Sequence, residues 1–272
     1  MDNHLSEQEL IDIENSRDYL VIKGNEIIQK ARYDLSLQEQ KLLAYCISQI
    51  KPNDSTDTVY TVSIPDFCKV CGIDYNNGKN YASVKSTVLS LVKQAFWILE
   101  PDGSEVTVHW LEKVRINRGN GKIKIRFDED LKKYIHGLFR NFTQYELLAV
   151  LPMKSHYSFR IYELLKSYAF TKKHRFEIDE LKRLLMAEIY VNFKDFRVKV
   201  IEPSIREINA YTDLKVEWEP ETKGRKVIAI TFYMIKLDGF NYGINRQKAR
   251  AELNRQLTIF DFIPEDEGKG EA

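Results

Sequence analysis

With 272 residues, 43% hydrophobic and 30% charged, the chain is long enough for one large domain or two ordinary ones. It holds no run of about 18 apolar residues to span a membrane, and its acidic start, MDNHLSEQELIDIENSRDYL, lacks a secretory signal's basic-then-apolar pattern, so a cytoplasmic protein is expected. The net charge of +1 conceals an asymmetry: residues 1–18 carry −5 and residues 261–272 carry −4, leaving about +10 on residues 19–260, a basic body that favours a polyanionic partner.

After the acidic segment 1–18, a first domain is expected over residues 19–138. SLQEQKLLAYCISQI (36–50) reads as a helix, with Ser36 as N-cap and Glu39 at the capping-box position. Leu37, Leu42, Leu43, Cys46, Ile47 and Ile50 supply its apolar stripe. A short alternating strand, VYTVSI, leads into a short helix, PDFCKVCGI, with Pro65 placed for a helix start. Past the polar turn DYNNGKN, YASVKSTVLSLVKQAFWI (81–98) predicts a longer helix with Tyr81, Val84, Val88, Leu91, Val92 and Ala95 on one face. Two strands follow, EVTVHWLEKVRIN and GKIKIRF, joined at RGNG, where Asn120-Gly121 signals a hairpin turn. Cys46, Cys68 and Cys71 are too few for a disulfide scaffold. Cys68 and Cys71 form a C-x-x-C with no second Cys/His pair at ligand spacing, so they read as small buried side chains on one helical face.

A second domain, expected over residues 139–237, repeats that order. SHYSFRIYELLKSYAF is a helix, HRFEI a short strand, DELKRLLMA a short helix, NFKDFRVKVIEPSIREINA (192–210) the longer helix, and LKVEWEPETKGRKVIAITFYMI a hairpin turning near Lys223-Gly224. The offset is steady. Ile64 and Phe67 lie 114 positions before Ile178 and Leu181, and Val84 and Val88 lie 112 before Phe196 and Val200. Helix, strand, helix, turn, helix, hairpin is the winged-helix layout, so the expected class is α+β: two tandem winged-helix domains with a flexible C-terminal tail.

In the second long helix, Phe193, Phe196, Val200, Ile201, Ile205 and Ile208 share one side, while Lys199 and Arg206 project from the other. Lys194 and Arg197 lie near its N-terminal end, where a recognition helix meets base edges and where arginine suits guanine O6 and N7. The competing reading is a solvated face of mixed charge, since Asp195 and Glu202 lie between. Lys223, Arg225 and Lys226 crowd the hairpin tip, which suits phosphate contacts. In the first domain Ser83, Ser86 and Lys93 face away from the apolar stripe, a small surface of weak charge. The wing below carries Arg115, Arg118, Lys122, Lys124 and Arg126. That domain is expected to grip backbone more than read bases, and its helix face could also serve as a dimer contact. Pro203 should kink the second long helix or mark a segment joining it at an angle.

Enzyme patterns are not met. GIDYNNGKN is one residue too long for a phosphate loop and has Asn80 where a hydroxyl is needed. The five histidines are scattered, and no metal cage, nucleophile triad or paired carboxylates follow from spacing. Double-stranded DNA binding without a cofactor, metal or catalytic residue is expected.

ARYDLSLQEQKLLAYCISQI, FRIYELLKSY and FKDFRVKVIEPSIREINAYTDL, with the order of elements over roughly residues 20–237, resemble the iteron-type plasmid replication initiators. That resemblance implies binding to repeated origin sites, help in opening the origin, recruitment of host replication proteins, and repression of the chain's own gene by a dimer on an inverted operator. It also implies no DNA cutting. A winged-helix transcriptional regulator is the alternative, and an adaptor using these modules for protein contacts is a third. Residues 238–272 read as a connector and acidic tail containing QLTIF. Gln256, Leu257, Ile259 and Phe260 there resemble the short sliding-clamp-binding motif of bacterial replication proteins. The other readings are that they fold back on the second domain, pair with another protomer, or meet a different partner.

Overall fold

The structure, a computed structural model, describes residues 7–73, 78–99, 103–117 and 121–261. Helix α1 (Glu7–Arg17) precedes strand β1 (Leu20–Gly24) and helix α2 (Asn25–Lys30). The first winged helix then runs α3 (Leu37–Ile47), β2 (Tyr60–Ser63), α4 (Ile64–Cys71), α5 (Gly78–Lys93), β3 (Ala95–Leu99), β4 (Glu105–His109), β5 (Leu111–Ile116) and β6 (Lys122–Phe127). A short α6 (Glu129–Lys132) and β7 (Phe142–Glu146) lead into the second: α7 (His156–Tyr168), β8 (Lys173–Glu177), α8 (Ile178–Leu184), α9 (Phe193–Phe196), a π-helical turn (Arg197–Ile201), α10 (Glu202–Tyr211), β9 (Leu214–Lys223) and β10 (Lys226–Lys236). Helix α11 (Gly239–Asp261) closes the described chain.

The two modules share one sheet plan. In the first the strand order is β2-β6-β5 and in the second β8-β10-β9, all antiparallel. Each short strand therefore pairs with the second strand of its wing. The repeat seen in sequence has a structural counterpart: α4 begins at Ile64 and α8 at Ile178, and Val84, Val88, Phe196 and Val200 are all buried.

Local chemistry explains the helix starts. Ser36 accepts from the Glu39 N–H, and the Glu39 carboxylate accepts from the Ser36 N–H, a complete capping box. Pro65 sits in the first turn of α4, where its missing N–H costs nothing, and Gly72 closes that helix at φ +69. Cys46, Cys68 and Cys71 are buried free thiols, and burial pushes Cys46 and Cys71 up to about 12.

Three expectations need correction. The helix read through residue 98 stops at Lys93, and AFWIL forms β3, so Ala95 is exposed rather than on the buried face. EVTVHWLEKVRIN is two strands, not one. Trp110 breaks it by turning into the core, where it stacks on Phe96 at 4.2 Å, and β4 pairs with β3 while β5 pairs with β6. The stretch after the second wing is not an open connector over residues 239–261 but α11, whose Asn245, Ala249 and Leu253 are buried. Residues 262–272 lie outside the described residues.

One continuous apolar core joins the modules. β1 pairs with β7 from Leu20↔Glu146 to Gly24↔Phe142, so the strand entering the first module is stitched to the strand entering the second. Lys23 on β1 donates to Glu163 on α7 at 2.6 Å with both side chains buried, and the Tyr145 hydroxyl donates to the same carboxylate oxygen at 2.5 Å. Arg160 reaches the Ala31 carbonyl at 3.0 Å and lies 4.5 Å from the Tyr33 ring centre. Helix α11 straps the assembly: Arg246 and Arg250 pair with Asp18 after α1, and Asn245 donates to the Asn209 and Thr212 carbonyls at the end of α10.

Candidate nucleic-acid interface

The second module's long helix is continuous from α9 through the π-turn to α10. Asn192 caps it by accepting from the Asp195 N–H at 2.8 Å. Pro203 has no N–H for the Lys199 carbonyl one turn back, and its ring crowds that carbonyl. The widened turn over residues 197–201 lies where this conflict falls, so the proline is absorbed by a π-turn and not by a break. The same turn brings positions five apart together: Arg197 Nε lies 3.4 Å from the Glu202 carboxylate.

Phe196, Val200, Ile201, Ile205 and Ile208 are buried, and Phe193 packs partly buried against them. Lys194, Arg197, Lys199 and Arg206 are exposed on the outside. Lys194, Arg197 and Lys199 gather at the N-terminal half. Arg206 lies 12 residues beyond Lys194, about 18 Å along the axis, and is too distant to share a base pair with it. Lys199 Nζ sits 5.8 Å from the Tyr190 ring centre, which holds its stem against the preceding turn. Lys182 on α8 is buried, donates to the Val191 carbonyl at 3.1 Å and lies over the Phe196 ring, so it fixes the turn rather than offering a charge to a ligand.

The wing is placed by Asn209, whose side chain both donates to the Val216 carbonyl and accepts from the Val216 N–H, tying α10 to β9. At the tip Lys223 and Lys226 are directly paired across a two-residue turn of Gly224 and Arg225, with Gly224 at φ +62. Like charges directly opposite are destabilising unless an anion lies between them. Below the tip Arg175 pairs with Glu177 and Glu221, both at 2.6 Å, so the wing's stem is neutralised while its tip is cationic.

The first module is built differently. Arg115 is the direct partner of Lys124, and Lys113 of Arg126, so four cations share one sheet face. Glu112 and Asp57 pair with Arg126, leaving Lys113, Arg115 and Lys124 as the exposed basic surface. Lys113 was missed in the sequence, though the alternation that selects Arg115 selects it too. Lys122 continues that face but borders a cleft that also holds Asp12 and Asp66. Arg118 lies outside the described residues. On α5, Ser83 donates to Gln38 at 3.1 Å, and Ser86 lines an apolar groove with Ala82, Leu89, Val92, Val114 and Ile116. Lys93 is exposed at the far end of the helix. Among the described residues, α5 thus offers Lys85 and Lys93 beside small hydroxyls, while Lys113, Arg115 and Lys124 cluster on the wing.

The modules are tied together close to the second module's long helix. Arg32, just after α2, pairs with Glu188 at 2.9 Å and donates to the Arg183 carbonyl, reaching from the first module to the helix-turn-helix of the second. This contact spans more than 150 residues and had no local signal. The backbone of residues 256–260 is the last part of α11, while the side chains of Gln256, Leu257, Ile259 and Phe260 lie outside what the structure describes. Among the described residues, no group of His, Cys, Asp and Glu is arranged to hold a metal, and no helix is long and apolar enough to cross a membrane.

Two winged helices in tandem, each ending in a basic hairpin, define a DNA-binding protein. Residues 20–166 match the family model described as initiator replication protein, WH1, and residues 177–234 match initiator Rep protein, WH2. The chain belongs to this family of replication initiators. Among curated relatives, a "Replication initiation protein" from Escherichia coli is 29% identical over 231 residues, covering 80% of this chain and 70% of the relative. The "PI protein" from Escherichia coli is 26% identical over 194 residues, covering 61% and 63%. A solved WH1 domain of a replication protein isolated from a multiple sclerosis patient is 21% identical over 35% of this chain and 76% of its own, with a TM-score of 0.27.

Proposed function

We propose that this initiator binds repeated duplex sites at a plasmid origin through the outer face of α9 and the π-turn, with the two wings on flanking phosphates. The observation that carries the reading is the exposure of Lys194, Arg197 and Lys199 on the N-terminal half of the helix, with β9, the strand that leads to the Lys223–Arg225–Lys226 tip, tied to that helix by Phe193 against Trp218 and by Asn209 on Val216. Base edges need side chains that reach into the groove, and phosphates need only positive charge at the right place. The site is one of recognition: the chain opens the origin and recruits host proteins without cutting DNA, acts in the cytoplasm, and as a dimer represses its own gene. Footprinting on the DNA flanking the coding sequence tests this. Protected tandem direct repeats beside an A·T-rich segment are expected. An isolated promoter palindrome as the sole protected site would make the chain a transcriptional regulator.

The QLTIF segment supports a contact with the sliding clamp. It forms the last part of α11, three residues beyond the buried Leu253. A short apolar segment can bind a pocket at modest affinity once ordering costs are subtracted. Immobilised clamp should retain the wild-type chain and release the Leu257→Ala/Phe260→Ala chain; equal retention rejects the contact.

A further inference from the structure

The turn that enters the recognition helix presents apolar side chains to water. Ile189 is 79% exposed and Val191 is 89% exposed, and Val198, between Arg197 and Lys199 on the helix, is 46% exposed. Floppiness does not account for this, because the turn is bonded along its length. The Tyr190 N–H donates to the Ala187 carbonyl and the Val191 N–H to the Ile189 carbonyl, both at 3.1 Å. Lys182 donates to the Val191 carbonyl, and Asn192 caps the helix. Tyr190 packs against Tyr157, and Arg32 holds Glu188 from the first module. Ile189 and Val191 are thus held outward on either side of an anchored tyrosine.

β-branched side chains held rigidly in water forgo the gain of burial. Their neighbours tell what covers them. Lys194 follows Val191 by three residues, Arg197 and Lys199 flank Val198, and Lys199 Nζ lies 5.8 Å from the Tyr190 ring centre; an apolar protein surface would have to desolvate these cations, whereas a polyanion would attract them. The one apolar group on the major-groove edge of a base pair is the thymine C5-methyl. We propose that Val191, with Ile189 and Val198, reads thymine methyl groups in the recognised site, so that sequence is selected by apolar contact as well as by the basic side chains. This rests on the placement of the recognition helix proposed above.

The test uses the full chain and the duplex its footprint defines, with each thymine replaced singly by deoxyuridine, which removes only the methyl. Affinity is expected to fall roughly three- to fivefold at one or two positions, the factor one buried methyl is worth. At such a position, Val191→Ala, Ile189→Ala or Val198→Ala should bind thymine and uracil duplexes alike. Uniform indifference of the wild type to uracil, with preference for the site over competitor DNA retained, overturns this inference alone. A uracil effect unchanged in all three variants also overturns it. Loss of any preference for the site over competitor DNA overturns the parent reading and this one together.

Discussion

Replacing Glu163 with alanine is expected to cost the folded chain about 3–5 kcal/mol, the usual penalty for leaving a buried charge without its partner. Glu163 is almost fully buried on α7 and takes hydrogen bonds from Lys23 on β1 and Tyr145 on β7, with Arg160 3.9 Å away. Alanine would strand the Lys23 ammonium and leave the Tyr145 hydroxyl without this acceptor. The effect is not the value of the ion pair itself, because two charges taken out of water repay little. The double change Lys23→Met/Glu163→Leu should therefore recover part of the loss, the part due to Lys23, while Arg160 and the Tyr145 hydroxyl still lack the carboxylate; such non-additivity is expected of residues in contact. Urea unfolding followed by circular dichroism measures both. A loss below about 1 kcal/mol for the single change would mean the site is wetter than the structure shows. The three elements that meet at Glu163 also set the angle between the modules, so the single change should loosen their packing first.

What the sequence revealed followed local rules. The capping box at Ser36 and Glu39, the Pro65 start and the turn at Gly224 rest on neighbours within a few residues, and all three are present. The nearly constant offsets between modules, 114 and 112 positions, carried the tandem organisation. What the sequence hid was either ambiguous or distant. AFWIL, after an amphipathic helix, fits a continued helix or a strand equally, because a short apolar run has no period of its own. Its strand state is decided by Trp110 stacking on Phe96 from 14 residues away. Helix α11 escaped because its buried positions among the described side chains, Asn245, Ala249 and Leu253, are a polar, a small and a large residue. That spacing is helical, but it makes no apolar stripe.

The candidate interface was legible in part. Exposure of Lys194, Arg197, Lys199 and Arg206 follows from the helical period, but the π-turn that pairs Arg197 with Glu202 follows from the crowding around Pro203 and was not foreseen as such. Direct cross-strand pairing of Arg115 with Lys124, and of Lys223 with Lys226, needs the register, which only the fold supplies. The buried ion pair at Lys23 and Glu163 joins residues 140 apart, and nothing local to either announces it.

The central claim is that the recognition helix reads sequence and the wings hold backbone. Arg197→Ala should remove one bidentate base contact and weaken binding to the footprinted site by about 1–3 kcal/mol. Part of that loss is offset by freeing Glu202 from its intrahelical pair, an exposed interaction worth about 0–1 kcal/mol. Binding to competitor DNA should hardly change. Changing Lys223, Arg225 and Lys226 together to alanine should instead weaken binding to every sequence, and should flatten the plot of log affinity against log salt by about 0.9 for each phosphate no longer neutralised. Titrating both variants and the wild type against site and competitor duplexes over a range of salt is the most direct test. The expected result is a loss confined to the site duplex for Arg197→Ala, and an equal loss on both duplexes with a shallower salt slope for the wing variant. The same loss on both duplexes for Arg197→Ala, with its salt slope lowered like that of the wing variant, would contradict this division of roles.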